Sequence, residues 1–284
     1  AMPAKLVCKN KPFRILRKNN VLEVYDMENY LEGNLYTNTA DYYDFDNRNP
    51  IKDDLGFYVE YANKTKGAIL ELASGTGRVS LYVAEKTGRK LECVELSGKM
   101  VERFNHKLQT THKHLRKNIN IHIGDMSDFK FNERFEFIMI PWRALQYLPE
   151  QEQTIQCLSR VYDHLTDNGI FVFEIFKPRT YDEKWLGRED ISYDVTVNGK
   201  RFIRSTVNHY ADRVKKIIQY KSKYRIIDGA DEIITEDLLT YKYYDRDEIV
   251  KIVSSLGFKV KEEYGYYDKR PINDGDEMIF VCEK

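Results

Sequence analysis

The sequence has 284 residues, room for one sizeable α/β core and a smaller appended layer but a squeeze for two full domains. Lysine plus arginine and aspartate plus glutamate both number 45, so the formal net charge is +0 and no global field draws the chain toward nucleic acid or an anionic membrane. With 42% hydrophobic and 32% charged residues, and no apolar run near the roughly 20 residues of a spanning helix, an ordinary soluble globular protein is expected.

The N-terminal residues place Lys5, Lys9 and Lys11 around little apolar sequence, so no signal peptide is read and a cytoplasmic location is expected. Cys8, Cys93, Cys157 and Cys282 show no C-x-x-C spacing and are read as reduced, mostly buried residues, with no metal site expected. Residues 1 to 34 carry no clear periodicity. From Tyr36 to Phe57 the chain mixes Tyr36, Tyr42, Tyr43, Phe45 and Phe57 with Asp41, Asp44, Asp46, Asp53 and Asp54. Such a segment is read either as a lid, because aromatic faces and carboxylates attract cations, or as a helix packing its tyrosines on the core. Asp53 to Lys66 has helical spacing, with Leu55, Val59 and Ala62 on one face.

The rest of the chain is organised around Ala68 to Arg78. The apolar run Ala68, Ile69, Leu70 and Leu72 has the composition of a strand buried on both faces. It breaks into Ala73, Ser74, Gly75, Thr76 and Gly77 before a helix starts at Arg78 and stops around Thr87 and Gly88. Without side chains at Gly75 and Gly77 the backbone can take positive φ and admit a ligand closely, while the helix start offers unpaired N–H groups. A dinucleotide fingerprint would need a third glycine where Ser80 stands. Glu71, inside the strand, suits a ligand with an ammonium group instead. Leu91 to Leu96 is a second strand whose terminal Glu95 can accept from ribose hydroxyls, and Ser97 caps a helix carrying Met100, Val101, Phe104 and Leu108.

Ile119 to Ile123 is a third strand, ending Gly124-Asp125-Met126, and Phe135 to Ile140 a fourth, followed by Pro141-Trp142-Arg143. Gln151 to Leu165 is a helix stopped by Asn168-Gly169, and Ile170 to Phe176 the fifth strand, with Glu174 inside it. The alternation then breaks into β-leaning runs at Thr196-Val197, Phe202 to Val207, Val214 to Ile227 and Ile233 to Tyr243, with Asn198-Gly199 and Asp228-Gly229 as turns. Asp245 caps a helix ended by Gly257, and Phe258 to Tyr266 with Met278 to Cys282 closes the chain as a hairpin.

The order Glu71-x-Ala73-x-Gly75-x-Gly77, Glu95, Asp125-Met126 and Pro141-Trp142-Arg143 resembles the class I S-adenosylmethionine-dependent methyltransferases, with alanine replacing the first glycine of their first motif. The inserted strands resemble the small-molecule members, especially amino-sugar N-methyltransferases. The resemblance covers roughly residues 53–284. It implies a Rossmann-like, doubly wound, mostly parallel seven-stranded sheet with a closing antiparallel strand, plus a small inserted antiparallel sheet. Residues 1–52 are then an N-terminal segment and substrate lid, 53–180 with 244–284 the cofactor-binding core, and 181–243 the insert over the substrate.

The implied cofactor is S-adenosyl-L-methionine, leaving S-adenosyl-L-homocysteine. Its expected contacts are Glu71, Ala73, Ser74, Gly75, Thr76, Gly77, Arg78, Glu95, Leu96, Met100, Gly124, Asp125, Met126, Pro141 and Trp142. In the resembled family an aspartate at the place of Asp125 accepts from the adenine amine while the next residue packs on the ring. Tyr36 and Tyr43 are read as aids to deprotonation, since their stretch looks like the N-terminal segment of sugar N,N-dimethyltransferases. Arg143 either clamps an anionic group of the acceptor or braces a nearby acid. His209, on the insert, is a weaker candidate. The expected activity is transfer of a methyl group to nitrogen or oxygen of a small molecule by a monomer or homodimer, without membrane or nucleic acid. An RNA methyltransferase, a non-catalytic sensor of the cofactor and an NAD-dependent dehydrogenase are the alternatives.

Overall fold

The computed structural model describes residues 13–18, 21–26, 35–45, 50–177 and 185–284. Cys8 and Asp46 lie outside the described residues. Strands β1 (Phe13–Lys18) and β2 (Val21–Asp26) pair antiparallel as a separate two-stranded ribbon. The core then alternates. Helix α1 (Pro50–Asn63) leads to β3 (Ile69–Leu72), α2 (Arg78–Thr87), β4 (Leu91–Glu95), α3 (Gly98–Gln109), β5 (Ile119–Ile123), β6 (Phe135–Ile140), α4 (Gln151–His164) and β7 (Leu165–Phe176). After an insert, α5 (Arg246–Ser255), β12 (Lys259–Tyr264) and β13 (Glu277–Glu283) complete it.

The seven core strands lie in the order β12-β13-β7-β6-β3-β4-β5. β3 pairs parallel with both β4 and β6, so the winding direction reverses at β3, and β13 is antiparallel to both its neighbours. A reversal of this kind opens a crevice beyond the carboxyl ends of the two strands, where the glycine turn and the Trp142 loop emerge. All four residues of β3 are buried, as its apolar composition requires. Apolar clusters cover both faces: Leu158, Val161, Ile249 and Val253 on one, Tyr58, Val83 and Phe104 on the other.

The insert is a four-stranded antiparallel sheet, β8 (Glu189–Val197), β9 (Lys200–Asp212), β10 (Ile217–Asp228) and β11 (Asp231–Lys242), in the order β11-β10-β9-β8. The fold class is as the sequence suggested, with local differences. Val214 is not in a strand: Asp212 accepts from the Val214 and Lys215 amides and Lys216 takes φ 55°, so the chain turns there. Helix α1 starts earlier, at Pro50, a residue preorganised for a first helical turn. Asn168-Gly169 does not stop a helix. Leu165 already pairs with Phe135, and a register break before Phe137 absorbs the intervening residues inside β7.

Candidate active site

The turn after β3 holds Ala73, Gly75 and Gly77 at φ 55°, 56° and 81°. At Gly77 an added Cβ would lie 2.1 Å from the Phe104 ring, so only glycine lets α2 pack on α3; at Gly75 nothing stands within 4 Å. Open space beside Gly75 and a buried Ser74 Oγ without a hydrogen-bond partner among the described residues mark a cradle with room for a ligand. Glu95, at the tip of β4, accepts from the Gly75 amide at 2.7 Å and the Ser97 amide at 2.8 Å. Burial pushes its pKa up, against those N–H groups. Asp125 accepts from the Ser127 amide and hydroxyl at 2.7 and 2.8 Å, which folds its loop. Leu96 and Ile123, the latter paired with Glu95 across the strand tips, are exposed apolar side chains, and Met126, just beyond Ile123 in sequence, is buried. Met100 is buried on α3, and Gly124 bonds through its amide to the Glu95 carbonyl.

Glu71 is buried and accepts a hydrogen bond from Ser80, which explains a serine where a dinucleotide fingerprint carries glycine. Burial pushes its carboxyl up to about 8. Arg78 forks onto the fully buried Asp54 at 2.8 and 2.6 Å, and its guanidinium lies 5.3 Å from the Trp142 ring centre. Thr76 donates to Asp44 at 2.6 Å, and Lys107 donates to the same carboxylate at 2.7 Å.

After β6 the chain passes the buried Pro141 and takes two consecutive left-handed residues, Trp142 at φ 57° and Arg143 at φ 60°. Each costs about 1–2 kcal/mol outside glycine. Neighbouring groups hold this corner. The Trp142 amide donates to Glu174, and Arg143 forks through Nε and Nη2 onto Glu277, leaving Nη1 outside the pair. Of the two roles read for Arg143, the brace is the one these contacts supply. Because the Glu277 side chain is 5% exposed, Arg143→Ala strands a buried carboxylate. With Arg143 itself 41% exposed, the expected loss is about 2–3 kcal/mol, read as a lower urea midpoint. Adding Glu277→Gln should restore most of it; an unchanged midpoint in Arg143→Ala alone would dismiss the brace.

A cavity of about 1260 Å³ opens beside this corner, lined by Tyr36, Tyr43, Trp142, Arg143, Tyr147, Arg204, Thr206, Asn208, Tyr220 and Tyr241, among others, and reaching Arg78 at the glycine turn. Residues 35–45 run between the core and the insert. Leu35 accepts from Ser97, Asp44 rests on Thr76 and Lys107, and Asn38 and Thr39 donate to the buried Asp237 of β11. Tyr42 and Phe45 pack on the insert, Phe45 stacking on Phe202 at 4.1 Å, whereas Tyr36 and Tyr43 turn to the cavity. Tyr36 donates to the Tyr147 hydroxyl at 2.9 Å, and Tyr147 shares a bond with Tyr220 at 2.7 Å. Burial raises the pKa of Tyr36, Tyr43, Tyr147 and Tyr220 above the ordinary phenol value. His209 is half-buried on β9 and does not line the cavity.

Sequence reasoning noted Asp54 and Glu174 without giving either a site of its own, and passed over Tyr147, Tyr220, Asp237 and Glu277. A lone acid within an apolar strand, as at Glu174, or at its start, as at Glu277, was the available signal, since a buried carboxylate needs partners.

The family description "Methyltransferase domain" matches residues 69–169. YqeM of Bacillus subtilis (strain 168), a methyltransferase by description alone, is 29% identical over 146 residues, 48% of this chain; the match spans 56% of that relative's length. The dTDP-3-amino-3,4,6-trideoxy-alpha-D-glucopyranose N,N-dimethyltransferase of Streptomyces venezuelae is 24% identical over 142 residues, 50% of this chain and 56% of the relative. The S-adenosylmethionine-bound structure of CalS10, an amino pentose methyltransferase from Micromonospora echinaspora, superposes with a TM-score of 0.65 at 17% identity over 86% of this chain and 94% of that one. Residues 69–169 thus match a methyltransferase domain, and the chain shares its fold with S-adenosylmethionine-dependent methyltransferases such as CalS10.

Proposed function

We propose that the chain methylates an amine nitrogen of a small hydroxylated acceptor, of amino-sugar type, with S-adenosylmethionine as donor. The observation that carries this reading is the roofed, tyrosine-rich cavity beside the Trp142 corner, with its hydrogen-bonded phenols Tyr36, Tyr147 and Tyr220. The relatives that act on amino sugars support it. The cofactor's fit is supported by the open space at Gly75, the orphan Ser74 hydroxyl and the two strand-tip acids. Glu95 would hold the ribose hydroxyls and Asp125 the adenine amine, with Leu96, Ile123 and Met126 around the ring and Glu71 near the amino end. When bound, S-adenosylmethionine supplies an electrophilic methyl group on a sulfonium centre.

The chain's own task is alignment and exclusion of water, because a methyl transfer needs the nucleophile's lone pair in line and desolvated. Residues 35–45 and the insert close over the cavity and remove bulk solvent. Raised phenol pKa values keep Tyr36, Tyr43, Tyr147 and Tyr220 protonated near neutrality, so they orient an amine by hydrogen bonds and do not serve as tyrosinate bases. Arg78 and Arg204 bear electrostatically on Tyr43, and Arg204 also on Tyr147 and Tyr220. The same positive field disfavours an ammonium ion, so the acceptor enters reaction as the neutral amine after releasing its proton to solvent.

Release of S-adenosylhomocysteine across a panel of amino sugars, amino acids and plain sugars tests the reading. Amino sugars should turn over and plain sugars should not, and Tyr36→Phe should lower kcat/KM about 10-fold to 100-fold. Transfer to tRNA with none to any small amine would replace this reading with RNA methylation.

A further inference from the structure

We propose that Glu174 is a positioning residue for methyl transfer: as a carboxylate it holds the Trp142–Arg143 corner in its left-handed shape between the glycine turn and the cavity. Glu174 is fully buried in β7 among Phe171, Val172, Phe173 and Ile175. Three groups from three separate parts of the chain bond to it: the Trp142 amide after β6, Tyr58 Oη of α1, and Tyr267 Oη beyond β12, the last at 2.7 Å. An amide can only donate, and both phenols donate here. Three converging donors match a carboxylate, which accepts only; a carboxylic acid would have to turn one of the phenols from donor to acceptor.

Two arginine–carboxylate forks flank the corner, Arg78 on Asp54 and Arg143 on Glu277, and their guanidiniums lie 5.3 and 5.6 Å from the Trp142 ring centre. The titratable and charged groups bearing on Glu174 are thus Asp54 and Tyr58 of α1, Arg78 of α2, Arg143, Tyr267 and Glu277 of β13. Burial, then Asp54, pushes the Glu174 carboxyl up to about 7. Protonation would weaken the Trp142 amide bond and leave two left-handed residues with less to hold them. The corner therefore relaxes as pH falls through neutrality.

The importance of this corner for catalysis rests on the function proposed above, so the test reads the corner directly and without cofactor. The chain has two tryptophans, and Trp185→Phe leaves Trp142 as sole reporter in the full-length protein. Its fluorescence between pH 5.5 and 9 should show one transition near pH 7, absent in Glu174→Gln. Tyr267→Phe removes a donor to the carboxylate and should move the transition up by about one pH unit. A transition kept in Glu174→Gln, unmoved in Tyr267→Phe, or missing from the Trp185→Phe protein overturns the proposal. Should Glu174→Gln fail to fold, Tyr267→Phe decides. In turnover, Glu174→Gln should lower kcat/KM about 10-fold or more and flatten its acid limb, and Glu174→Asp should regain that limb. Normal kcat/KM and an unaltered pH profile in Glu174→Gln also overturn it, while absent turnover with an intact fluorescence transition counts only against the proposed function.

Discussion

Gly77→Ala should lose cofactor affinity and fold stability together, whereas Gly75→Ala should lose mainly affinity. Both glycines sit at positive φ, so either alanine adds about 1–2 kcal/mol of left-handed strain. Only at position 77 does the new methyl meet protein, three carbons of the Phe104 ring within 2.1 to 2.4 Å. That ring is fully buried and cannot swing aside, so overpacking adds about 1–3 kcal/mol more. A fall in Tm of roughly 5–15 °C is expected for a chain of this size. At position 75 the methyl enters the open space read as the cofactor's, and the Tm of the free protein should drop by the strain alone, roughly 2–6 °C. Titration with S-adenosylhomocysteine should show about 100-fold weaker binding in both variants. If Gly75→Ala bound as tightly as the parent, the turn would not be the cofactor's cradle.

The strand-tip acids could be read because spacing along one chain encodes them: each closes a strand whose apolar run is visible, and the strands come in order. The same holds for the insert, whose turns at Asn198-Gly199 and Gly229 are written in local chemistry. Its inner face was harder to read, because on β10 the buried set contains Tyr220, Ser222 and Tyr224, and β11 buries Asp237, so burial and polarity do not separate. Partners far apart in sequence were not legible at all. Tyr58 and Glu174 are 116 residues apart, and Arg143 and Glu277 134 apart, so only the fold reveals whom each acid serves.

The tyrosines of the N-terminal segment show why a lid and a packing element could not be told apart. Ala40–Phe45 is a 3-10 turn, in which residues three apart share a face. Tyr42 and Phe45 therefore point together onto the insert, and Tyr43 falls on another side, toward the cavity. One short element both packs on the insert and faces the cavity. It also ties the two halves of the site, since Asp44 grips the glycine turn while Asn38 and Thr39 hold β11.

Glu71→Gln should stabilise the free protein in mildly alkaline buffer and weaken its hold on the cofactor. Burial lifts the Glu71 carboxyl to about 8 from an ordinary 4.5, so the folded state prefers the protonated form. The sign comes from proton binding. Below pH 4.5 both states hold the proton and there is no penalty; between 4.5 and 8 only the unfolded state releases it, and stability falls as pH rises; above 8 the loss is complete. At about 1.4 kcal/mol per pH unit the ceiling is near 4–5 kcal/mol, and relaxation around the site should leave about 2–4. Glutamine keeps an acceptor for Ser80 and carries no charge, so its urea midpoint should be higher than the parent's at pH 8.5 and equal at pH 4.5. With the cofactor's ammonium beside it, as proposed, Glu71 should ionise on binding. Calorimetry of S-adenosylhomocysteine in buffers of different ionisation enthalpy should then show proton release near pH 7 that vanishes in Glu71→Gln, alongside roughly 10-fold to 100-fold weaker binding. Equal affinity in the two proteins, with no proton released, would detach Glu71 from the cofactor and leave it a buried strut for Ser80.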